Sequence, residues 1–104
     1  MDRTSQLALY RAMVTARRVD QWEQEITARG EAFFTVASSG HEAVAALALH
    51  LGPADWLHCH YRDKALLLAR GISPKAFFDI LYCKDASSSR GRQMPGFCSN
   101  PDLN

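Results

Sequence analysis

A short segment near the middle of the chain combines residue types that bind phosphate groups. Tyr61 and Arg62 stand between an extended run, 56–61, and an alanine- and leucine-rich stretch that predicts a helix from about Arg62 to Gly71. The first turn of a helix has unpaired backbone N–H groups and partial positive charge, so it attracts anions. A guanidinium adds a planar set of donors that matches phosphate oxygens. The pattern indicates a pyrophosphate site, although such a pair is more often a salt-bridged surface feature.

The composition favours one small globular domain. The chain has 104 residues, of which 47% are hydrophobic, and a formal net charge of +1. Lysines and arginines are scattered without a basic stripe or tail, so we expect no nucleic-acid partner. We also expect no membrane span and no secretory leader, because the apolar runs are short and the N-terminus is polar. Three cysteines without C-x-x-C spacing indicate reduced thiols and a cytoplasmic location.

A long amphipathic helix is predicted from Thr4 to about Arg29. Its apolar residues recur at steps of three and four, which predicts a stripe that contacts the core or another subunit. This stripe consists of Leu7, Tyr10, Val14, Val19, Trp22 and Ile26. We expect Thr4 or Ser5 to cap the start of the helix and Gly30 to end it.

Residues 32–37 include aromatic and β-branched side chains, which predicts a short strand or an extended segment that leads to the next helix. We call this segment the crossing. Ser39 and Glu42 then have the spacing of a capping box, which predicts a helix running to about Leu51. That helix is rich in alanine. Small side chains let neighbouring elements approach closely, so we expect it to be buried at the centre of the fold.

The C-terminal third of the chain is predicted to contain one helix followed by a loop. Ser73 as cap and Pro74 as first helical residue predict a helix to about Cys83. Its core-facing residues are Phe77, Ile80 and Leu81. Residues 84–104 are polar, turn-prone and interrupted by prolines, so we expect an irregular loop. Because no closing helix or strand follows, residues 1–104 are expected to be the N-terminal part of a larger domain.

Two other chemistries are weaker interpretations. His58 and His60 share one side of an extended segment around Cys59, as zinc ligands can. Zinc needs three or four ligands, and the other two histidines fall on another predicted helix. We therefore expect His60 to be a core or pocket histidine and His58 to be partly exposed. A thiol nucleophile at Cys59 or Cys83 is also weak, because neither stands at a polar helix start that lowers a thiol pKa.

The ordered set of motifs resembles the alpha subunit, or alpha part, of the thiamine-diphosphate-dependent 2-oxo acid dehydrogenases. The motifs are, in order, Gly40-His41-Glu42-Ala43, Asp55-Trp56, His60-Tyr61-Arg62-Asp63, Ala69-Arg70-Gly71, Ser73-Pro74 and Gly91-Arg92-Gln93-Met94-Pro95. They cover nearly the whole chain. The resemblance implies an α/β fold, in which this chain is the mostly helical N-terminal segment of a doubly wound thiamine-diphosphate-binding domain.

The resemblance also implies roles in cofactor binding. Tyr61 and Arg62 match the pair that contacts the diphosphate, and His60 would lie close to the cofactor. The family binds magnesium through a Gly-Asp-Gly motif that would follow this chain's last residue. No residue here matches a metal ligand or a catalytic group, because the activating glutamate comes from the beta subunit or beta part.

The residue at position 36 indicates which class of 2-oxo acid is the substrate. Pyruvate-type relatives have a histidine four residues before the glycine of Gly-x-Glu-Ala, where this chain has Val36. Val36 beside Phe34 predicts a pocket for a branched aliphatic side chain, and the Gly-Arg-Gln-Met-Pro form also resembles branched-chain members. One departure is Phe97, where branched-chain relatives usually have a histidine.

The resemblance implies oxidative decarboxylation of a 2-oxo acid, such as 3-methyl-2-oxobutanoate, with transfer of the acyl group to lipoyl. The expected partners are a beta subunit or fused beta half and a lipoyl-bearing acyltransferase, in an oligomer. We expect the 104 residues alone to be inactive. The alternative is a truncated, non-catalytic helical interaction module that pairs through the stripe from Leu7 to Ile26.

Overall fold

The computed structural model describes residues 1–102, and this part of the chain is mostly helical without strands. Its helices are α1, Arg3–Ala28; a 3-10 helix, Glu42–His50; α2, Lys64–Ala69; and α3, Pro74–Leu81. The segments between them and after α3 consist of turns and irregular backbone. Within residues 1–102, no helix combines the length and the apolar character needed to cross a membrane.

Helix α1 begins slightly earlier than its sequence pattern predicts. The Asp2 carboxylate, rather than Thr4 or Ser5, caps the helix by accepting from the Ser5 N–H at 2.7 Å. At the other end Gly30 has φ +77°, a left-handed conformation that suits glycine, and the helix stops there as predicted.

The buried face of α1 is only partly the predicted stripe. Val19 and Ile26 are buried, but Leu7, Tyr10, Val14 and Trp22 are between 41% and 65% exposed. The remaining buried positions on α1 are Ala12, Ala16, Asp20 and Glu23. The reason is close packing: small side chains let α2 and the 3-10 helix lie against α1, which turns the larger side chains outward.

The crossing and the element after it differ from the expectation. Residues 34–38 form no strand, and the helix after them is 3-10 rather than α. The capping box is wrong because the Ser39 hydroxyl donates to Asp20 instead of capping. The Glu42 carboxylate accepts from the Gly40 N–H at 2.9 Å and pairs with Arg17. Ala45 is the one buried residue of this helix, and Ala43, Leu47 and Leu49 are exposed, so the expected burial of the helix at the centre of the fold is wrong.

Helices α2 and α3 contribute half of the buried apolar residues in the described part of the chain. Helix α2 begins at Lys64, two residues later than predicted, and Lys64 to Leu67 are all buried. Helix α3 begins at Pro74 as predicted, and its three predicted core residues are 1–2% exposed. One apolar cluster contains Ala12, Ala16, Ala45 and Ala65. The other contains Val19, Leu67, Ile72 and Phe77.

A buried ionic cluster joins α1 to α2. Lys64 Nζ lies 3.4 Å from Asp20 Oδ1 and forms a second ion pair with Glu23. All three side chains are at most 2% exposed. Asp20 and Glu23 also accept hydrogen bonds from the crossing: from Ser38 N–H at 2.8 Å and from the Thr35 hydroxyl at 3.3 Å. The two carboxylates of α1 thus bind both the crossing and the lysine at the start of α2.

Residues 84–102 consist of turns and irregular backbone, and the last two residues of the predicted loop lie outside the described part. Gly91 lies against the Cys83 carbonyl, where a Cβ atom would come within 2.7 Å of the oxygen. This contact folds the polar stretch back onto the end of α3.

Substituting Lys64 by Met should lower the free energy of unfolding by about 3–5 kcal/mol, because two buried carboxylates lose their cation. The matched control is Lys75→Met, which removes an exposed i,i+4 pair with Asp79 and should change stability by about 0.5 kcal/mol or less. Urea unfolding of the two variants measures the difference. Equal effects would contradict the role of the buried cluster.

Candidate anion-binding site

Three non-helical segments meet just before α2, and they include most of the residues that the sequence singles out. The guanidinium of Arg62 donates through Nη1 to the Ala37 carbonyl, which joins the turn at 60–62 to the crossing. Gly96, from the Met-Pro segment, lies against the backbone of Tyr61. The structure therefore brings residues 34–37, 60–62 and 94–97 into one region.

Aromatic and cationic groups surround Tyr61. The His60 ring centroid is 3.7 Å from that of Tyr61, and the Phe97 ring lies edge-on at 6.0 Å with an interplanar angle of 70°. The Arg62 guanidinium carbon is 5.4 Å from the Tyr61 centroid, a cation–π distance. These contacts hold the tyrosine ring and the guanidinium side by side, and Phe97 takes part in holding them.

Position 96 requires glycine for two reasons, its backbone conformation and the atoms that lie against it. Its φ is +96°, and a Cβ atom would lie 2.8 Å from Tyr61 Cβ. Side-chain-bearing residues rarely adopt that φ. The sequence suggests a turn here, and the structure shows a close approach to the candidate site.

The start of α2 does not supply the anion site that the sequence pattern suggests. Asp63, rather than an uncharged cap, precedes this six-residue helix, and its carboxylate accepts from the His60 N–H at 2.7 Å. A negative charge at that end disfavours a phosphate beside it. Arg62 lies in the turn before the helix. Any anion binding therefore depends on the Arg62 guanidinium and the Tyr61 hydroxyl.

The Arg62 guanidinium has donors to spare for an anion. Guanidinium carries five N–H groups. The Arg62 side chain directs one hydrogen bond, to the Ala37 carbonyl, within the described part of the chain. Arg62 and Tyr61 are both half-buried, so each residue is partly accessible to solvent.

The buried cluster behind the site contains two carboxylates whose pKa values shift in opposite directions. Burial alone raises the pKa of Asp20, but hydrogen bonds from Ser39 and Ser38, together with Lys64, hold it below its ordinary value. Glu23 accepts fewer hydrogen bonds. Burial therefore raises its pKa above its ordinary value, despite the opposing charge of Lys64.

The predicted substrate-pocket residues lie in the crossing. Phe34 is 47% exposed and Val36 is half-buried. Val36 directly precedes Ala37, so the hydrogen bond from Arg62 holds it beside the Tyr-Arg turn. The structure thus holds Val36 near the predicted cofactor residues, while the roles of Phe34 and Val36 in a substrate pocket and of His60, Tyr61 and Arg62 in cofactor binding stay predictions.

The histidines and cysteines do not form a metal site or an activated thiol. His58 and His60 are exposed, and residues 1–102 contain no cluster of three or more potential metal ligands. Burial, with added repulsion from Asp63 and Cys98, raises the pKa of Cys59. A raised pKa is the opposite of what a thiol nucleophile needs. His60 is thus a surface residue that stacks on Tyr61, not a core histidine.

Comparison with known sequences assigns the family. The profile of the dehydrogenase E1 component matches residues 10–102, which is most of the chain. The chain belongs to the dehydrogenase E1 component family. This family uses thiamine diphosphate, in a larger fold than the part seen here.

Curated E1 relatives are of the branched-chain type. The chain is 35% identical over 92 residues to the 2-oxoisovalerate dehydrogenase subunit alpha of Bacillus subtilis, which covers 85% of this chain and 28% of the relative. It is 33% identical over 88 residues to the mitochondrial 2-oxoisovalerate dehydrogenase subunit alpha 1 of Arabidopsis thaliana, covering 84% and 19%. The chain therefore spans between about a fifth and little more than a quarter of the length of these relatives.

The residues present fit part of the E1 cofactor. A guanidinium and a phenol at one turn suit phosphate oxygens. The described residues offer no group of carboxylates and histidines for a cation that would accompany the phosphates. The fit is therefore to the anionic end alone.

The sequence pattern missed the residues that hold this E1 segment together. In the sequence, Glu23 is predicted to be a charge on the solvent-exposed face of the first helix, and nothing singles out Asp20 or Lys64. One signal was present: Asp20 follows Ala16 by four residues and Glu23 follows Val19 by four residues, spacings that place both on the same face of α1 as small or apolar residues.

The opposed pKa shifts predict opposite pH dependences. The stabilisation from ionised Asp20 is fully present above its ordinary pKa of 3.8 and is lost as the pH falls through the lower folded-state value. Glu23 stabilises the folded chain below its ordinary pKa of 4.5, and that contribution is lost as the pH rises through the raised value. Asp20→Asn should flatten the acid limb of the stability curve, and Glu23→Gln should flatten the decline above 4.5.

Urea unfolding at a series of pH values tests this pair of variants. If both substitutions altered the same limb of the stability curve, the assignment of the two carboxylates would be wrong.

Replacing Gly96 by Ala should detach the 94–97 segment from Tyr61, because a Cβ atom would overlap the tyrosine backbone. Gly40→Ala is a matched control: its φ is +99°, but a Cβ atom there would meet nothing within 4 Å. Both variants carry the backbone cost of roughly 1–2 kcal/mol, and Gly96→Ala should exceed it. Near-ultraviolet circular dichroism of Tyr61 should change only in Gly96→Ala. An equal loss of stability with unchanged spectra would contradict the contact.

Proposed function

We propose that the chain forms part of an enzyme that oxidatively decarboxylates a branched-chain 2-oxo acid, such as 3-methyl-2-oxobutanoate, and transfers the acyl group to lipoyl. The support is family membership, the names of the relatives and the apolar residue at position 36. The observation that carries the proposal is the Tyr61-Arg62 pair, held at one turn against the Ala37 carbonyl. Thiamine diphosphate, when bound, supplies the decarboxylation chemistry.

This chain's own residues would bind and orient the cofactor. Arg62 would place its remaining donors on diphosphate oxygens, and the Tyr61 hydroxyl would donate a further hydrogen bond. His60, stacked on Tyr61, would keep the phenol in position. The contact with Ala37 restrains the guanidinium before the cofactor arrives, so less conformational entropy is lost on binding.

The crossing would form one wall of the substrate pocket. Phe34 and Val36 offer apolar surface beside the Tyr-Arg turn, where a histidine would favour a smaller, more polar substrate. The magnesium site, the remainder of the doubly wound α/β domain and the activating carboxylate would come from other parts of the enzyme. The proposed partners are a beta subunit or fused beta half and a lipoyl-bearing acyltransferase, in an oligomeric, cytoplasmic assembly.

Arg62→Ala in the complete alpha chain, assembled with its beta partner, tests the cofactor role. The apparent dissociation constant for thiamine diphosphate should rise about tenfold or more, because a charge-assisted hydrogen bond is lost. The control is Arg18→Ala, which removes an exposed arginine bonded to Gln21 and should leave cofactor affinity unchanged. Equal cofactor affinities for both variants and the parent would refute the assignment. The isolated 104-residue chain should show no saturable cofactor binding.

Val36→His in the same assembly tests the substrate class. The parent should have a higher kcat/KM for 3-methyl-2-oxobutanoate than for pyruvate, and the substitution should reduce that ratio, because it narrows and polarises the pocket. Steady-state assays with both substrates give the ratio. A parent enzyme that prefers pyruvate, or uses both equally, would rule out the branched-chain proposal.

A non-catalytic interaction module is the second candidate, favoured by one observation. Leu7, Tyr10 and Val14 form an exposed apolar face on α1, which could pair with another chain. The intact mass of the native protein separates the two functions. A mass near 11.6 kDa favours the module, whereas a several-fold larger mass favours the dehydrogenase.

A further inference from the structure

Two cysteines flank the contact between the Tyr61 turn and the Met-Pro segment. Gly96 lies against the Tyr61 backbone, and Cys59 and Cys98 each stand two residues away from that contact, on opposite sides along the chain. Segments that run in opposite directions through such a contact bring those two positions together. An antiparallel course of the two segments would place Cys59 opposite Cys98, and the two thiols are close enough to interact electrostatically.

Packing supports the same placement. Cys59 and Cys98 are both half-buried and both pack against the apolar cluster built around Phe77. Each thiol is free. Cys83 is different, because it is exposed at the end of α3 and is not among the residues that pack against that cluster. The third cysteine thus serves as an internal control.

We propose that Cys59 and Cys98 form a reversible intramolecular disulfide, which fastens the 96–98 segment to the turn that carries Tyr61 and Arg62. The oxidant is hydrogen peroxide. This modification is independent of the proposed dehydrogenase function, because it requires only the two thiols and their placement.

The reaction balances with one equivalent of peroxide. The Cys98 thiolate attacks one peroxide oxygen, the O–O bond breaks, and Cys98 becomes a sulfenic acid while the released hydroxide takes up a proton to form water. The Cys59 thiolate then attacks the Cys98 sulfur, the S–O bond breaks, and the hydroxyl leaves as a second water. Two thiols are oxidised by two electrons, and one hydrogen peroxide is reduced.

Access favours Cys98 as the first thiol to react. Cys98 lines an open cavity of about 380 Å³, together with Ile72, Ser73 and Ser87. Hydrogen peroxide is small enough to enter such a space. Cys59, near the Tyr61 turn, is not among the residues that line this cavity, so it acts as the resolving thiol.

The environment of the thiols makes the reaction slow and pH-dependent. Burial raises the pKa of both thiols, and the neighbouring Cys98 contributes to the raised pKa of Cys59. The thiolate is the reactive species. The rate should therefore rise about tenfold for each pH unit below the thiol pKa. Such a pair responds to sustained oxidation rather than to brief exposure.

Peptide mapping of the peroxide-treated chain tests the proposal. The reduced, folded chain is treated with hydrogen peroxide, unreacted thiols are alkylated, and non-reducing digests are analysed by mass spectrometry. We expect a Cys59–Cys98 cross-linked peptide in the monomer fraction, alkylated Cys83, and full reversal by a phosphine reductant.

Matched variants and an unfolded control sharpen the outcome. Cys83→Ser should leave the yield of the cross-link unchanged, and Cys59→Ser should leave Cys98 as a sulfenic or sulfinic acid. In urea the shorter loop between Cys83 and Cys98 closes more easily, so that pair should replace the native one. A folded chain that links through Cys83, oxidises without a cross-link, or gives the same products folded and unfolded would overturn the proposal.

Discussion

The arrangement depends on one buried cation. Lys64 stands at the first turn of α2, where an uncompensated charge would be costly, and Asp20 and Glu23 on α1 supply the compensation. The two carboxylates also bind the crossing, through Ser38 and Thr35. A single electrostatic requirement therefore fixes the spacing between α1, the crossing and the turn before α2. Apolar packing, which in this region is largely alanine, would not by itself select that geometry.

The candidate site is a consequence of that constraint. Once the crossing and the turn are held, the Ala37 carbonyl faces the Arg62 guanidinium, and the Met-Pro segment closes over Tyr61 through a glycine that leaves no room for a side chain. Phe97 completes the enclosure of the tyrosine ring. The departure from the branched-chain pattern at residue 97 thus has a structural role, in an edge-to-face aromatic contact.

The sequence predicted what depends on local pattern. The extent of α1, the proline start of α3 and the core residues Phe77 and Ile80 follow from periodicity and capping preferences, and the family followed from ordered motifs. Of the two alternatives for residues 32–37, a short strand or an extended crossing, the strand is wrong: strands need partners, and this region bonds to side chains of α1 instead. The capping role of Ser39 failed because a distant carboxylate, Asp20, competes for its hydroxyl. Polar contacts between residues that are far apart in the sequence can hardly be recognised from local residue spacing.

The most direct test of the central claim is amide hydrogen exchange in Asp20→Ala, which removes the acceptor shared by the crossing and Lys64. If the buried cluster holds these segments jointly, protection should be lost together in residues 35–39 and 60–64, while α3 keeps its protection. Loss of protection confined to Ser38 and Ser39, the residues of the crossing region that bond directly to Asp20, with 60–64 unchanged, would contradict the account and would mean that the cluster is only a local contact.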